Sequence, residues 1–379
     1  MKYYTVEGNK KSIFKVFAIY YICMAVFCLV RITAAIEGVY PDGKIGDVVF
    51  SLIIQLGVLL ILPCVLYCVL LKIKPKQALE HFNFSKISFN VIVISIVIGV
   101  LCFIINIAVS SLFNGALQFS GYRFRSGAGD GDYSVGNFFL QLFLVAFLPA
   151  ICEEFLHRGM LLQGIKHIGF KKAILISSIL FALLHFNIQQ VFYAFVVGLI
   201  LGFVSVVAKN IYPSIIIHFV NNAIATYLDF AEARDWAFGD VFARFQKFLT
   251  SNRPIIIFLV VAIFMLIVVA LLFLFIWLLY KQTIIRKVNN AINKAYDKFA
   301  GIGRNTPIHV SDEHEVIIEL LENNTLLNLD CKIKDNPLDV VLPKEKSRYK
   351  PREIENLFLW GSIIMGAVVT LFTYIWGLF

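Results

Sequence analysis

Long hydrophobic runs separated by short charged loops dominate this 379-residue chain. A membrane-spanning helix needs about 20 predominantly apolar residues, because the hydrocarbon core of a bilayer is about 30 Å thick. Eight runs approach that length, and a ninth, shorter run lies between Lys171-Lys172 and the polar residues Asn187 to Gln190. The runs are 16–33, 47–71, 89–113, 137–164, 173–187, 191–208, 211–230, 254–280 and 357–378. We therefore predict an all-α, polytopic membrane helix bundle of eight or nine transmembrane helices.

The composition agrees with a membrane protein and argues against a nucleic-acid partner. Hydrophobic residues make up 59% of the chain and charged residues 16%, with a mean hydropathy of +0.80. Soluble domains are about 45–50% apolar and about 25% charged. The net charge is +9, but the Lys and Arg residues lie in short loops between the runs, and the sequence has no separate basic module. The lipid bilayer is therefore the partner that this charge indicates.

The loop charges also predict an orientation. Lys and Arg concentrate in cytoplasmic loops, and a cytoplasmic N-terminus assigns most of them to that side. The cytoplasmic segments then carry Lys2, Lys10, Lys11, Lys15, Lys72, Lys74, Lys76, Lys86, Arg158, Lys166, Lys171, Lys172 and Lys209, whereas the first two exterior loops carry Arg31, Lys44, Arg123 and Arg125. We expect a multi-pass protein of a cell membrane, with an exterior C-terminus. The abundance of Ile, Lys and Phe suggests a bacterial membrane.

Five segments follow from the order of runs and loops. Helices and an exterior loop occupy 1–136, a segment with polar groups 137–230, a loop and a span 231–280, a small cytoplasmic insert 281–356, and the last span 357–379. The insert begins with apolar residues at helical spacing among Lys and Arg, which favours either a helix on an anionic membrane surface or a solvated connector helix. Weak alternation over 308–342 indicates strands. The Gly- and Asp-rich part of the exterior loop 114–136 is expected to be mobile.

Ionisable side chains interrupt the fourth run. Glu153 and Glu154 follow the apolar stretch 138–150, where an unpaired charge costs several kcal/mol. On a helix, Glu154 and Arg158 are four residues apart and can pair, while Glu153 points about 100° away. One glutamate would then be neutralised while the other stays available as a base. The alternative is that both glutamates only orient a helix end near the cytoplasmic surface.

Two further runs carry polar groups at a similar depth. One contains His185, and another contains His218 and Asn222, which share a helix face. Each group could serve only as a hydrogen-bonding contact between helices. At 1.5 Å per residue, Glu153 and His185 lie roughly 18 Å from the cytoplasmic ends of their runs, and His218 roughly 10–13 Å. We expect these four side chains to line one water-accessible cavity, at the midplane or in the cytoplasmic half, open to the cytoplasm or to lipid.

The order and spacing of these polar groups resemble those of a known family. Glu153 to Arg158 follows EExxxR, Phe181 to His185 follows FxxxH, and His218 to Asn222 follows HxxxN. Together the motifs are similar to those of the CPBP family of intramembrane proteases, which includes type II CAAX prenyl endopeptidases and bacteriocin-processing or immunity proteins. The resemblance covers about residues 137–230.

The resemblance implies an intramembrane endopeptidase that cuts a membrane-associated peptide, either prenylated or of the bacteriocin leader type. It implies that Glu153 is the general base for the attacking water and that His185 assists it. It also implies that His218 and Asn222 stabilise the oxyanion. A carboxylate, imidazoles and a carboxamide are suited to activating water and stabilising an oxyanion.

By the same resemblance, Glu154 and Arg158 brace the site. His157 is expected to be a supporting or interfacial residue, because it lies on the same helix face as Glu153. The family has often been labelled metalloprotease, so a zinc ion is one alternative. If a metal is bound, its ligands would be Glu153, His185 and His218. No HExxH motif is present, and we expect no cofactor to be required.

Two other function classes stay open at this point. One is a non-catalytic immunity or partner-binding membrane protein with the same fold. The other is a transporter or proton-coupled channel, because ionisable groups in spans also mark ion paths. The two halves of the sequence show no evident internal repeat, which speaks against a transporter.

A pair of glycines lies in the run between the two histidine-bearing runs. Gly198 and Gly202 form GxxxG, and small residues at this spacing allow two helices to approach closely. We expect the pair to hold His185 near His218. A chance pair in a span that tolerates glycine is the alternative.

Overall fold

A computed structural model describes residues 6–34, 43–82, 84–124, 131–251, 253–298, 308–310, 316–318 and 356–378. Within this part of the chain, helices carry almost all residues. They are α1 (Val6–Ala34), α2 (Gly43–Leu71), α3 (Pro75–His81), α4 (Phe89–Phe119), α5 (Val135–Ile165), α6 (Phe170–Leu184), α7 (Ile188–Ala208), α8 (Tyr212–Arg234), α9 (Val241–Ser251), α10 (Pro254–Lys298) and α11 (Leu357–Leu378). A 3₁₀ turn, Lys166–Ile168, follows α5. The predicted all-α, polytopic helix bundle is confirmed.

Seven of the described helices are long and apolar enough to cross a membrane: α1, α2, α4, α5, α7, α10 and α11. The expected eight or nine spans are too many by this measure. The helix α6 has only 15 residues, and α8 is less apolar because it carries His218, Asn221 and Asn222. Both still belong to the bundle, because α6 packs along α7 and α8 packs along α4 and α5. The two expected spans that are not among the seven are therefore α6, which directly precedes His185, and α8, which contains His218.

Contacts between connecting segments define two ends of the bundle. The first end holds the start of α1, and its contacts are Lys15 with Leu70 and Ser85 with Asn210. The second end holds the end of α1 and the start of α2, and its contacts are Lys44 with Asp132, Arg123 with Gly377, and Tyr133 with Arg234. The structure thus groups these segments as the alternation of loop charge does. That the first end faces the cytoplasm stays a prediction.

The apolar core has two large clusters of buried side chains. The first is formed mainly by α1, α2, α5 and α6, and the second by α4, α7, α8 and α10. A third, small group of Phe181, Ala182 and Ala194 joins α6 to α7. The helix α10 also exposes large apolar side chains such as Leu266 and Phe273. This arrangement suits a bundle whose outer helices face lipid and whose interior can hold polar groups.

Three π-helical segments interrupt the regular α-helices. They are Ile53–Ile61 in α2, and Leu142–Phe147 and Phe155–Leu161 in α5. The first two end two residues before a proline, Pro63 and Pro149. Proline lacks an N–H for the helix, and its ring clashes with the carbonyl four residues earlier, so a wider turn relieves the clash. π-helical turns are rare and often occur at functional sites, and all three contribute groups to the polar site described below.

The helix α10 runs without a break into the segment expected to begin the insert. It spans 45 residues, about 67 Å at 1.5 Å per residue, and this exceeds the roughly 40–45 Å thickness of a bilayer with its headgroups. Because α10 continues from the apolar span into residues 281–298, the structure favours a connector helix for the start of the insert over a separate helix on the membrane surface. Beyond it, strands β1 (Ile308–Val310) and β2 (Val316–Ile318) pair antiparallel. The rest of the insert and residues 125–130 of the exterior loop lie outside the described residues.

The GxxxG pair packs α7 against α6. A Cβ atom added to Gly198 would lie 3.2 Å from Ser178 Cα and 3.3 Å from the Phe181 ring, and one added to Gly202 would lie 3.1 Å from Ile174 Cγ2. The close approach expected of these glycines is therefore present. The neighbour is the α6 helix that precedes His185.

A larger side chain at Gly198 should separate α6 from α7. We expect Gly198→Leu to lower the free energy of unfolding by about 1–3 kcal/mol, because overpacking forces the neighbouring backbone to move. Gly115→Leu is the matched control, since nothing lies within 4 Å of a Cβ atom at Gly115. Thermal unfolding in detergent micelles compares the two. Equal unfolding temperatures would show that the α6–α7 contact does not depend on the absent side chain.

Candidate active site

Glu154 and Arg158 form a fully buried ion pair within α5. Arg158 Nη1 donates to Glu154 Oε1 over 2.7 Å, and neither side chain has exposed surface. His218 Nδ1, from α8, lies 3.0 Å from the same carboxylate oxygen. The pair expected from the four-residue spacing is thus present. We call Glu154, Arg158 and His218 the buried triad.

Arg158 also holds two neighbouring helices. Its Nη2 donates to Gly198 O over 2.9 Å, and its guanidinium carbon lies 4.6 Å from the centre of the Phe181 ring, a cation–π contact. Within the described part of the chain, Glu154 Oε2 and Arg158 Nε are buried without a hydrogen-bond partner. Each unpaired buried group costs about 1–3 kcal/mol, so the ion pair adds less to stability than its short distance suggests.

Glu153 faces a different environment from its neighbour, as the helical geometry predicts. Its carboxylate lines a cavity of about 210 Å³, and Gln55 Nε2 of α2 donates to Glu153 Oε1 over 3.3 Å. The walls combine apolar and polar side chains. The polar and charged lining residues are Arg31, Ser51, Gln55, Glu153, His185 and Gln190. A water molecule occupies about 30 Å³ in the liquid, so the cavity has room for several.

His185 lies at the end of α6 and not in the middle of a span. The helix ends at Leu184, and the chain then turns, with φ of +49° at Phe186, before α7 starts. The His185 Nδ1 atom lies 2.9 Å from Phe181 O. A carbonyl oxygen only accepts hydrogen bonds, so Nδ1 carries the hydrogen. In the neutral ring, Nε2 is then free to accept a hydrogen bond in the cavity that His185 lines.

The structure brings two of the four expected residues to this cavity. Within the described residues, Glu153 and His185 line it, and His218 and Asn222 do not. His218 is nevertheless close, because it is bonded to the neighbour of Glu153. The Phe181 ring also connects the two histidines, with its centre 5.1 Å from that of His185 and 5.8 Å from that of His218.

Asn222 belongs to a chain of amide groups between α4, α8 and α5. Its Nδ2 donates to Val145 O over 3.1 Å, and its Oδ1 accepts from Asn221 Nδ2 over 2.9 Å. Asn106 Nδ2 in turn lies 3.4 Å from Asn221 Oδ1. These bonds fix the orientation of the Asn222 amide and leave one of its two N–H groups uncommitted.

The cavity extends from the middle of the bundle towards the second end. Arg31 lies in the last turn of α1, Ser51 near the start of α2, and Gln190 in the first turn of α7. Under the orientation predicted from charge, this is the exterior half of the membrane. We expected the cavity at the midplane or in the cytoplasmic half, and its extension towards the second end lies outside that range under this orientation, which itself stays a prediction. The physical reason is that α6 ends early, so His185 lies at its exterior end.

His157 and Tyr20 fix the main chain at Glu153. His157 Nδ1 lies 2.7 Å from Glu153 O, and its Nε2 lies 3.0 Å from the Tyr20 hydroxyl. That hydroxyl also donates to Leu180 O over 2.9 Å. Both side chains are buried, so His157 supports the site and is not interfacial. The contacts tie α1 and α6 to the turn of α5 that carries Glu153.

Sequence reasoning missed three contributors to this site. Gln55 is a polar residue inside an apolar run, which is the same signal that identified Glu153, and it could have been found. Tyr20 carries no comparable signal, because a tyrosine near the end of an apolar run is ordinary in a membrane protein. Phe181 belongs to a motif, but its role as the ring shared by Arg158 and two histidines depends on contacts between helices.

A comparison with known families gives one match, in the segment that carries the motifs. The model described as type II CAAX prenyl endopeptidase Rce1-like matches residues 135–224, about a quarter of the chain, and the match contains all three motifs. Residues 135–224 form an Rce1-like domain. This confirms the resemblance inferred from the motifs. No curated protein and no solved structure is matched by the chain.

The Rce1-like domain does not assemble the alternative zinc ligands. Within the described residues, no three His, Cys, Asp or Glu side chains are grouped so that they could hold a metal ion. Of the proposed ligands, Glu153 and His185 share the cavity, while His218 does not line it. The donor set therefore does not fit a zinc centre in this arrangement.

The two adjacent glutamates of the Rce1-like domain should respond differently to the same substitution. We expect Glu154→Gln to lower the free energy of unfolding by about 3–5 kcal/mol, because Arg158 would remain buried without its counter-charge. Glu153→Gln is the matched control and should unfold near the wild-type temperature, since its side chain is partly exposed to the cavity. Thermal unfolding in detergent measures both. A fully stable Glu154→Gln variant would contradict the bracing role.

Proposed function

We propose that this protein is an intramembrane endopeptidase that hydrolyses a peptide bond of a membrane-associated peptide. One observation carries the proposal: Glu153 shares a cavity with His185, while the adjacent Glu154 is paired with Arg158. A free carboxylate beside an imidazole is the arrangement that general-base activation of water needs. The match of residues 135–224 to the type II CAAX prenyl endopeptidase Rce1-like family supports the same class.

In this proposal the water is activated between Glu153 and His185. The Glu153 carboxylate takes the proton of the attacking water and returns it to the nitrogen of the leaving amine when the peptide C–N bond breaks. The Nε2 atom of neutral His185 accepts the second hydrogen bond of that water, because Nδ1–H is committed to Phe181 O. Two acceptors orient the water so that its lone pair points towards the substrate carbonyl.

The proposed oxyanion site is formed by His218 and Asn222. Asn222 has one uncommitted N–H on Nδ2. For His218 to donate from Nε2, the ring must be protonated on both nitrogens, because Nδ1–H donates to Glu154 Oε1. The Glu154 carboxylate then supplies the counter-charge, which it already shares with Arg158. Donors arranged in advance around a developing oxyanion make a large contribution to catalysis.

We also propose that the reaction requires no metal cofactor. A zinc ion held by Glu153, His185 and His218 would occupy the proposed base. Glu154 could not replace Glu153 as base, because Glu154 is paired with Arg158 and buried.

A second candidate is a non-catalytic protein of the same fold that binds a membrane partner. The observation that favours it is the volume of the cavity. About 210 Å³ is less than the roughly 300–1,000 Å³ of ordinary ligand sites. Under this alternative the polar groups would contribute to binding without turnover.

Removing the proposed base should stop cleavage. We expect Glu153→Gln to lower turnover by about 10²- to 10⁴-fold, the usual contribution of a general base, while the protein still inserts and purifies. Wild type and variants are co-expressed with a library of membrane-anchored peptides, and cleavage products are identified by mass spectrometry. Glu232→Gln, at an exposed glutamate of α8, is the matched control. Normal cleavage by Glu153→Gln would remove Glu153 from the mechanism. No cleavage by wild type would favour the partner-binding candidate.

Metal removal separates glutamate chemistry from zinc chemistry. We expect turnover to persist in excess chelator, because the proposed base is a carboxylate and not a metal-bound water. Metal analysis of the purified protein accompanies the assay. Stoichiometric zinc whose removal abolishes turnover would overturn the assignment of Glu153 as base. It would leave the endopeptidase proposal intact.

A further inference from the structure

Gln55 is a buried polar side chain in an apolar part of α2. Residues 52–62 are otherwise entirely apolar or glycine, and Gln55 is only 9% exposed. Burying a carboxamide in such surroundings is costly unless it is hydrogen-bonded. Gln55 lies in the π-helical segment Ile53–Ile61 that precedes Pro63. It also lies outside the Rce1-like match, so the family resemblance assigns it no role.

The contact of Gln55 with Glu153 has a defined direction. Gln55 Nε2 donates to Glu153 Oε1 over 3.3 Å. An ionised carboxylate only accepts hydrogen bonds, so the amide must turn its NH₂ group towards Glu153. The other end of the amide, Gln55 Oε1, is buried without a partner among the described residues. The bond to Glu153 is therefore what compensates for burying this side chain.

The same bond constrains the proposed general base. Glu153 has one oxygen engaged by Gln55, so its rotation about the last side-chain bond is restricted. The second oxygen is then the one available to a water in the cavity that His185 also lines. The main chain of Glu153 is held separately by His157. Gln55 thus acts on the orientation of the carboxylate and not on the course of the helix.

We propose that Gln55 is a positioning residue for Glu153. Its amide holds Glu153 Oε1 so that the other oxygen faces the water that attacks the peptide bond. The active site is then completed by α2, which the Rce1-like domain does not include. This inference rests on the proposed function, because it takes Glu153 as the base.

The contact can be tested without any substrate. The carboxylate stretching band of Glu153 is assigned from the infrared difference between wild type and Glu153→Gln. Gln55→Met keeps a side chain of similar size but removes the donor, and we expect the band to shift. Gln190→Met makes the same change at another residue that lines the cavity, and the band should stay in place. An unmoved band in Gln55→Met would overturn the proposal.

The kinetic consequence is tested with the peptide that the wild type cleaves. We expect Gln55→Met to lower kcat by about 10- to 100-fold, the effect of losing one hydrogen bond to a charged group, with KM close to that of wild type. Loss of positioning affects the chemical step, whereas a general structural defect would also lower the unfolding temperature. An unchanged kcat would overturn the positioning role. If Gln55→Met does not fold, Gln55→Leu also removes the donor without adding a charge, and the same losses are expected.

These measurements distinguish the two proposals. If wild type cleaves no peptide while the Glu153 band shifts in Gln55→Met, the proposed function fails and the contact stands. If wild type cleaves and depends on Glu153, but neither the band nor kcat changes in Gln55→Met, the positioning role fails and the proposed function stands.

Discussion

The buried ion pair between Arg158 and Glu154 is the interaction on which the rest of the site depends. An isolated charge in the interior of a membrane bundle is costly, so the two charged side chains are stabilised by each other and by groups of neighbouring helices. Arg158 uses Glu154 in its own helix, Gly198 O in α7 and the Phe181 ring in α6. Glu154 in turn binds His218 in α8. One pair therefore sets the relative positions of four helices.

The close packing of α6 and α7 is part of the same constraint. Arg158 reaches Gly198 O where α7 also lies against Ser178 and Phe181, and a side chain at Gly198 would occupy that space. Because Gly198 has no Cβ atom, α7 can approach α6 closely and the Gly198 carbonyl oxygen can accept from Arg158. A residue that appears in the sequence as a packing glycine is in this way linked to the electrostatics of the site.

Irregular backbone supplies much of the polar site. The π-helical segments provide Gln55, the Val145 carbonyl that accepts from Asn222, and the side chains of His157 and Arg158. Prolines account for the first two segments. The cavity itself also requires α1 and α2, whose residues form much of its wall. It extends towards the bundle end at which α1 ends and α2 begins, so a substrate entering by that end would, under the predicted orientation, come from the exterior side.

The sequence by itself determined the spans and the local pairing. Most of the apolar runs begin and end within a few residues of the helices, because hydropathy is a property of consecutive residues. The Glu154–Arg158 pair followed from four-residue spacing on one helix, and the three motifs identified the Rce1-like domain. Tertiary structure decided the rest. It joined His218 to Glu154 and Gln55 to Glu153, pairs separated by 64 and 98 residues. It ended α6 before His185 and so moved the cavity towards the second end. These features depend on which helix faces meet across the bundle, and neither hydropathy nor local spacing specifies that.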